Sequence, residues 1–160
     1  HAAVLKLAAE KASWGGTLPA NKARGVALHD SFGSIVAQVV EVSVEAGRPR
    51  VHRVVCAIDC GVAVNPGIIA QQMEGSIIFG LSAALYGRID IVKGEVQQSN
   101  FQSYPLLTLA RTPVIETYIV PSTRSPSGVG EPGTPPVAPA LANALFALTG
   151  RRLRYLPLQL

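Results

Sequence analysis

The sequence predicts an α+β fold, a mainly antiparallel β-sheet with two long buried helices, residues 67–86 and 135–149, packed against it. Two observations carry this expectation. Residues 24–64 hold β-branched runs broken by turn-forming clusters, and two later stretches are long, apolar and rich in small residues. With 160 residues, 48% of them hydrophobic and 15% charged, the chain can bury a core of its own, so residues 1–160 are expected to form a single domain.

The elements follow in order. "AAVLKLAAEKA" spaces Val4, Leu5, Leu7 and Ala8 as a short amphipathic helix that "WGG" stops. After the loop "TLPANKARG", the stretches "RGVALHDS" and "SIVAQVVEVSVE" read as strands, with Val36, Val40, Val42 and Val44 favouring extended backbone. "AGRPR" marks a turn, and residues 50–64 read as a third strand, which together suggest an antiparallel meander. Asn65-Pro66 ends that strand, since proline pushes its predecessor to extended geometry and suits a first helical turn. The helix over residues 67–86 has Gly75, Gly80, Ser82, Ala83 and Ala84 for close backbone approach. Short strand-like pieces follow in "RIDIV", "GEVQQSN" and "VIETYIV"; the chain closes with the helix from Pro135 and a final strand, "RRLRYLPL".

Composition excludes several classes. The net charge of +4 comes from scattered Lys and Arg, with only Arg151, Arg152 and Arg154 clustered, which argues against a nucleic-acid partner. The apolar stretch from Pro66 is interrupted by Gln71, Gln72 and Glu74, costly in hydrocarbon, so a buried helix is expected rather than a membrane span. The chain opens on His1 without a basic start and apolar cleavage region, so no targeting segment is expected within these residues, and it reads as a piece of something longer. Periplasm and cytoplasm both remain open as its compartment. Cys56 and Cys60 fall on one face of an expected strand, about 13 Å apart, too far for a mutual disulfide, and they read as two small buried hydrophobes. No metal ligand set is expected. There is no GxGxxG after a strand, no Walker loop, no GxSxG elbow and no HExxH helix.

The segment "GVGEPGTPPVAPALANALFALTG", residues 128–150, carries the main chemical question. Thr134 is expected to cap the second helix, with Pro135 at its first position. Glu131, set among Gly, Pro and Val, is then either an electrostatic helix-start device or a reactive carboxylate. Gly128, Gly130 and Gly133 allow backbone to approach a bound group, and Pro132 stiffens the chain beside the acid. Gln72, on an expected buried helix, offers either a helix-to-loop hydrogen bond or a donor and acceptor for a polar cofactor. His29 reads as a hydrogen-bonded strand residue, and Asn100, Phe101 and Tyr104 as turn or core residues.

Taken in order along the chain, "DCGVAVNP", "QQMEGSIIFGLSAALYG", "SNFQSYP" and "GVGEPGTPPVAPALANALFALTGRRLR" closely resemble the C-terminal molybdopterin-binding region of the xanthine dehydrogenase and aldehyde oxidase family. "ARGVALHDSFGSIVAQVVEVSV" and "GEPGTPP" look most like its bacterial isoquinoline 1-oxidoreductase branch. The resemblance implies a molybdenum hydroxylase that oxidises an aldehyde or N-heteroaromatic carbon with water as oxygen source. It implies that Glu131 is the active-site base, that Gln72 contacts the pterin, and that Gly128 and Gly130 lie beside the cofactor. The implied cofactor is molybdopterin with molybdenum, in its cytosine dinucleotide form. The implied partners are the rest of the large subunit, an iron–sulfur small subunit and a small-molecule substrate; two cysteines without cluster spacing put the clusters elsewhere. Two alternatives stand beside this reading: a catalytically silent structural or interaction domain, and a family member with other chemistry such as carbon monoxide oxidation.

Overall fold

The computed structural model describes all residues, His1–Leu160. Helix α1 spans Ala2–Lys11, and strands β1 (Lys22–Ser31), β2 (Ser34–Glu45) and β3 (Arg48–Asp59) form the expected meander. Helix α2 (Pro66–Leu85) follows, then the small hairpin β4 (Ile91–Val92) and β5 (Glu95–Val96), strand β6 (Val114–Ile119) and helix α3 (Val137–Thr149). The main sheet has the order β1-β2-β3-β6; only the β3–β6 pair is parallel. The fold is thus α+β with a mainly antiparallel sheet, as the sequence predicts.

Strand β2 is buried on both faces, which explains its unbroken valine-rich character. On one face Val36, Val40, Val54, Cys56 and Ile58 pack with Met73, Ile77 and Leu81 of α2 and Leu141 and Leu145 of α3. On the other, Ala37, Val39, Val55 and Ala57 meet Val4 and Ala8 of α1. Of the predicted α1 stripe, Leu5 is exposed instead. Small residues set the helix distances. Gly80 of α2 lies against Val137, and Gly25 of β1 lies so close to α3 that an added Cβ would overlap the Ala140 carbonyl oxygen and the Ala144 nitrogen.

Four expectations are corrected. Strand β3 ends at Asp59 rather than Val64, because Gly61 turns the chain with φ +74, its amide donating to the Asp59 carboxylate at 3.1 Å. Residues 151–158 form no strand; the Leu158 amide donates to Ala84 O at 2.8 Å and the Leu158 side chain joins the core beside α2. Helix α3 starts at Val137, and Thr134 does not cap it. Helix α2, capped by Asn65 Oδ1 accepting from Ile68 N, buries one face only. By length and composition α2 could cross a membrane; here its inner face packs into the core, and Ile68 and Phe79 stand 51% and 69% exposed on the other.

Replacing Gly25 by alanine is expected to lower the unfolding free energy by about 3 kcal/mol, the upper end for overpacking, because backbone of α3 must move rather than a side chain. Urea denaturation checks this, and an unchanged midpoint would refute the packing argument.

Candidate functional site

The chain from β6 to α3 crosses the end of the sheet where the β1–β2 hairpin and the turn after β3 lie. An irregular segment in such a place must find partners for its backbone polar groups. Arg124 O accepts from Val62 N and Ser127 N donates to Cys60 O, both at 2.9 Å, while the Arg124 guanidinium pairs with Asp59 at 2.9 Å. At Gly61 a side chain would strike the Ser125 carbonyl, so the turn and the loop close on each other only with glycine there.

Further along, three buried side chains, two from β2 and one from α2, reach the carbonyls of three loop glycines. Ser34, at the start of β2, donates to Gly128 O at 2.6 Å; Ser76 of α2 donates to Gly130 O at 3.1 Å; and Gln38, mid-β2, donates to Gly133 O at 2.7 Å. Thr134, freed from capping, donates to Ser76 O at 3.3 Å. In a planar trans peptide the N–H points opposite to the C=O. Turning the Gly128 and Gly130 carbonyls inward therefore turns the Val129 and Glu131 amides outward, and the amides of Val129, Gly130 and Glu131 donate to no protein backbone acceptor.

Glu131 is exposed, not embedded among its Gly, Pro and Val neighbours as expected. It has no ion-pair partner; its only recorded bond is its carbonyl accepting from Thr134 N at 2.9 Å. Nor does α3 need it. Pro136 and Pro139 have no N–H, Val137 N donates to Thr134 O and Ala140 N to Pro136 O, so little is left at the helix start for an acid to satisfy.

Gln72 is likewise exposed; the helix-to-loop bond considered for it is made by Ser76, one turn further along the same side of α2. Gly128 and Gly130 are exposed on the loop, and added side chains at Gly75 and Gly130 would meet nothing within 4 Å. The structure thus brings Gln72, Gly130 and Glu131 to one region through the Ser76 tie. His29 is exposed on β1, outside the loop's ties, and Phe101 is 73% exposed in a turn begun by Asn100. Both cysteines are free and buried, and burial pushes the Cys56 thiol up to about 12, as suits an inert core residue.

Sequence reasoning missed Ser34, Gln38 and Ser76. For Gln38 a signal existed: an amide in the middle of "SIVAQVVEV", in register with inward-facing valines, has to be bonded to something.

Residues 6–113 match the molybdopterin cofactor-binding domain. The chain belongs to that family. It is 37% identical over 99% of its length to isoquinoline 1-oxidoreductase subunit beta of Brevundimonas diminuta, of which it covers 21%. It is 36% identical over 99% of its length to a membrane-bound aldehyde dehydrogenase, named with pyrroloquinoline quinone, of Gluconacetobacter polyoxogenes, covering 22% of it. The aldehyde oxidoreductase structure from Desulfovibrio desulfuricans superposes with a TM-score of 0.67 at 28% identity, over 78% of this chain and 14% of that one. The chain therefore spans about a fifth of the length of the curated relatives it matches. The matched residues 6–113 include Gln72 and stop short of the glycine loop, whereas the isoquinoline relative aligns over nearly the whole chain.

For a molybdopterin cofactor-binding chain the residues present fit. An oxygen-rich group would meet the outward amides of Val129 and Glu131, neither of which has a protein backbone acceptor, an exposed glutamine amide, and glycines with open space before them at positions 75 and 130. No group of three His, Cys, Asp or Glu converges in the chain.

The loop's anchor at Asp59 responds to pH. Burial pushes this carboxyl up, but bonds from Arg124 and Gly61 outweigh it and hold the group below its ordinary 3.8. A depressed folded-state pKa contributes stability that is complete above the unfolded value and lost as pH falls through the folded one. Acidification below 3.8 should therefore weaken the fold, and Asp59→Asn should flatten part of that loss, leaving what Glu41 and Glu116, also lowered, contribute. Urea midpoints measured against pH check this; identical acid profiles for variant and parent would exclude the Asp59–Arg124 tie as acid-labile.

Proposed function

We propose that residues 1–160 form a single domain, the C-terminal, base-supplying part of a molybdenum hydroxylase large subunit. The complete enzyme would oxidise an aldehyde or N-heteroaromatic carbon with water as oxygen source. One observation carries the reading: Glu131 projects, unpaired, from a loop whose Gly128, Gly130 and Gly133 carbonyls are engaged from behind, so its carboxylate is available to a reacting group in front. The names of the relatives, isoquinoline 1-oxidoreductase and aldehyde dehydrogenase, support both the redox class and the kind of carbon attacked.

The roles divide by chemistry. The molybdenum cofactor, when bound, supplies the two-electron redox step, which no protein side chain here can perform. Glu131 accepts the proton released from the attacking oxygen, the task of a general base within hydrogen-bond reach of it. Gln72 hydrogen-bonds the pterin from α2, and the loop backbone at Gly128 and Gly130 lies beside the cofactor, with open space before Gly130 and Phe32 packed against Gly128. The cytosine dinucleotide form of the cofactor is part of the proposal.

The exposed apolar residues Ile68 and Phe79 bracket Gln72 along α2. A stripe of this kind is suited to burial against the remainder of the large subunit, which would enclose the cofactor from the other side. An iron–sulfur small subunit is the proposed electron carrier, since Cys56 and Cys60 are both committed to the core.

In the full-length subunit with its partners, Glu131→Gln is expected to reduce kcat by about a hundredfold to ten-thousandfold, the usual worth of a general base, at parent molybdenum content. Steady-state kinetics with metal analysis provide the check, and retained turnover would refute the role. Stoichiometric molybdenum is expected in the parent; a molybdenum-free, quinone-dependent enzyme, as one relative's name would suggest, would overturn the cofactor assignment.

A further inference from the structure

Gln38 is fully buried in the middle of β2, between Val36 and Val40 on the face that carries α2 and α3, and opposite Cys56 in the strand register. An amide there costs stability unless it does what an aliphatic side chain cannot. Its Nε2 donates to Gly133 O at 2.7 Å, whereas its Oε1 is buried with no hydrogen-bond partner. The sheet itself gains little from this residue beyond its side-chain interaction with Cys56 of β3, since valines fill the flanking inward positions and Oε1 is left without a partner. What the residue achieves is a bond to a loop 95 positions away in sequence.

That bond lies close to the reacting carboxylate. Gly133 and Glu131 are separated only by Pro132, whose ring fixes φ, so the position of the Gly133 carbonyl constrains the backbone from which the acid projects. Ser34 and Ser76 hold the loop at Gly128 and Gly130, from the start of β2 and from α2. Gln38 alone of these ties it to the centre of a strand buried on both faces, the part of the fold least able to move.

We propose that Gln38 is a positioning residue for Glu131, fixing the Gly133 carbonyl to the sheet so that the carboxylate stands at one place relative to the cofactor. The proposal rests on the reading of Glu131 as the base. The neighbouring Cys56, kept neutral by burial, interacts with the Gln38 amide but brings no charge that would draw it away from Gly133 O.

The test uses the full-length subunit with its partners and two variants. Gln38→Met keeps the volume and removes the donor. Gln38→Glu keeps a donor, because a carboxyl buried there is held protonated. For Gln38→Met, kcat is expected to fall on the order of tenfold to a hundredfold, the cost of a misplaced catalytic group, with KM and molybdenum content near parent values. Hydrogen exchange at the Thr134 amide, which follows Gly133 and donates to Glu131 O at 2.9 Å, measured on the same protein, should quicken, and Gln38→Glu should restore most of both properties. Parent kcat and parent exchange in Gln38→Met would overturn the proposal. So would a fall in kcat that merely tracks lost molybdenum, or a Gln38→Glu variant no better than Gln38→Met. Turnover that survives Glu131→Gln while Gln38→Met still quickens loop exchange would overturn the base reading and leave the anchoring of the loop by Gln38 supported.

Discussion

A loop without secondary structure can be rigid only if its backbone polar groups are bonded, and in this chain the decisive bonds run from buried side chains to the carbonyls of Gly128, Gly130 and Gly133. Each donor comes from a different place: the start of β2, the inner side of α2 and the middle of β2. Peptide planarity then does the rest. With the Gly128 and Gly130 carbonyls held inward, the Val129 and Glu131 N–H groups face out, and the loop presents these donors on its open side. A surface of this polarity suits an oxygen-rich, negatively charged ligand, which accords with membership of the molybdopterin cofactor-binding family.

The remaining architecture serves that arrangement by controlling distances. Gly80 admits Val137, and Gly133 lies against Ser76 and Met73, so α2 and the start of α3 come within reach of the same loop. The close approach of α3 to β1 at Gly25 fixes where the loop must end. At its other end, Arg124 and Asp59 lock the loop to the turn after β3. The loop is thus held between two fixed points by close contacts that tolerate no extra side-chain atoms at Gly25 and Gly61, a denser constraint than hydrogen bonds on an otherwise mobile segment would give.

Much of the fold was legible because local signals and tertiary demands agree. The valines of β2, the turns at Phe32-Gly33 and Ala46-Gly47, and the Asn65-Pro66 helix start each specify their element locally, and the elements formed as expected. The errors came where tertiary packing overrode local preference. Residues 151–158 have strand-like composition, yet Leu153 and Leu158 pack on the core instead of forming a sheet edge, and Tyr155 and Leu156 stay exposed. Thr134 has the chemistry of a cap, but the prolines around it leave the helix start with few free donors, so its hydroxyl bonds α2. In the site, Glu131 and Gln72 were legible only as residue types in motifs. Their exposure, and the role of Ser76 in bringing α2 to the loop, depend on contacts between segments 54 positions apart that spacing cannot reveal.

The failed capping expectation strengthens the functional argument. An acid next to a helix start can always be explained as a partner for orphan N–H groups. Here that explanation has little to act on: Pro136 and Pro139 have no N–H to satisfy, Val137 N donates to Thr134 O and Ala140 N to Pro136 O, and only the Ala138 amide of the first turn is left without a backbone acceptor. Glu131 consequently holds no structural bond through its carboxylate, although the backbone around it is among the most heavily anchored in the chain. Rigid support beneath a side chain that supports nothing is the arrangement expected of a reacting group, since a base must be held in place without having its oxygens already occupied.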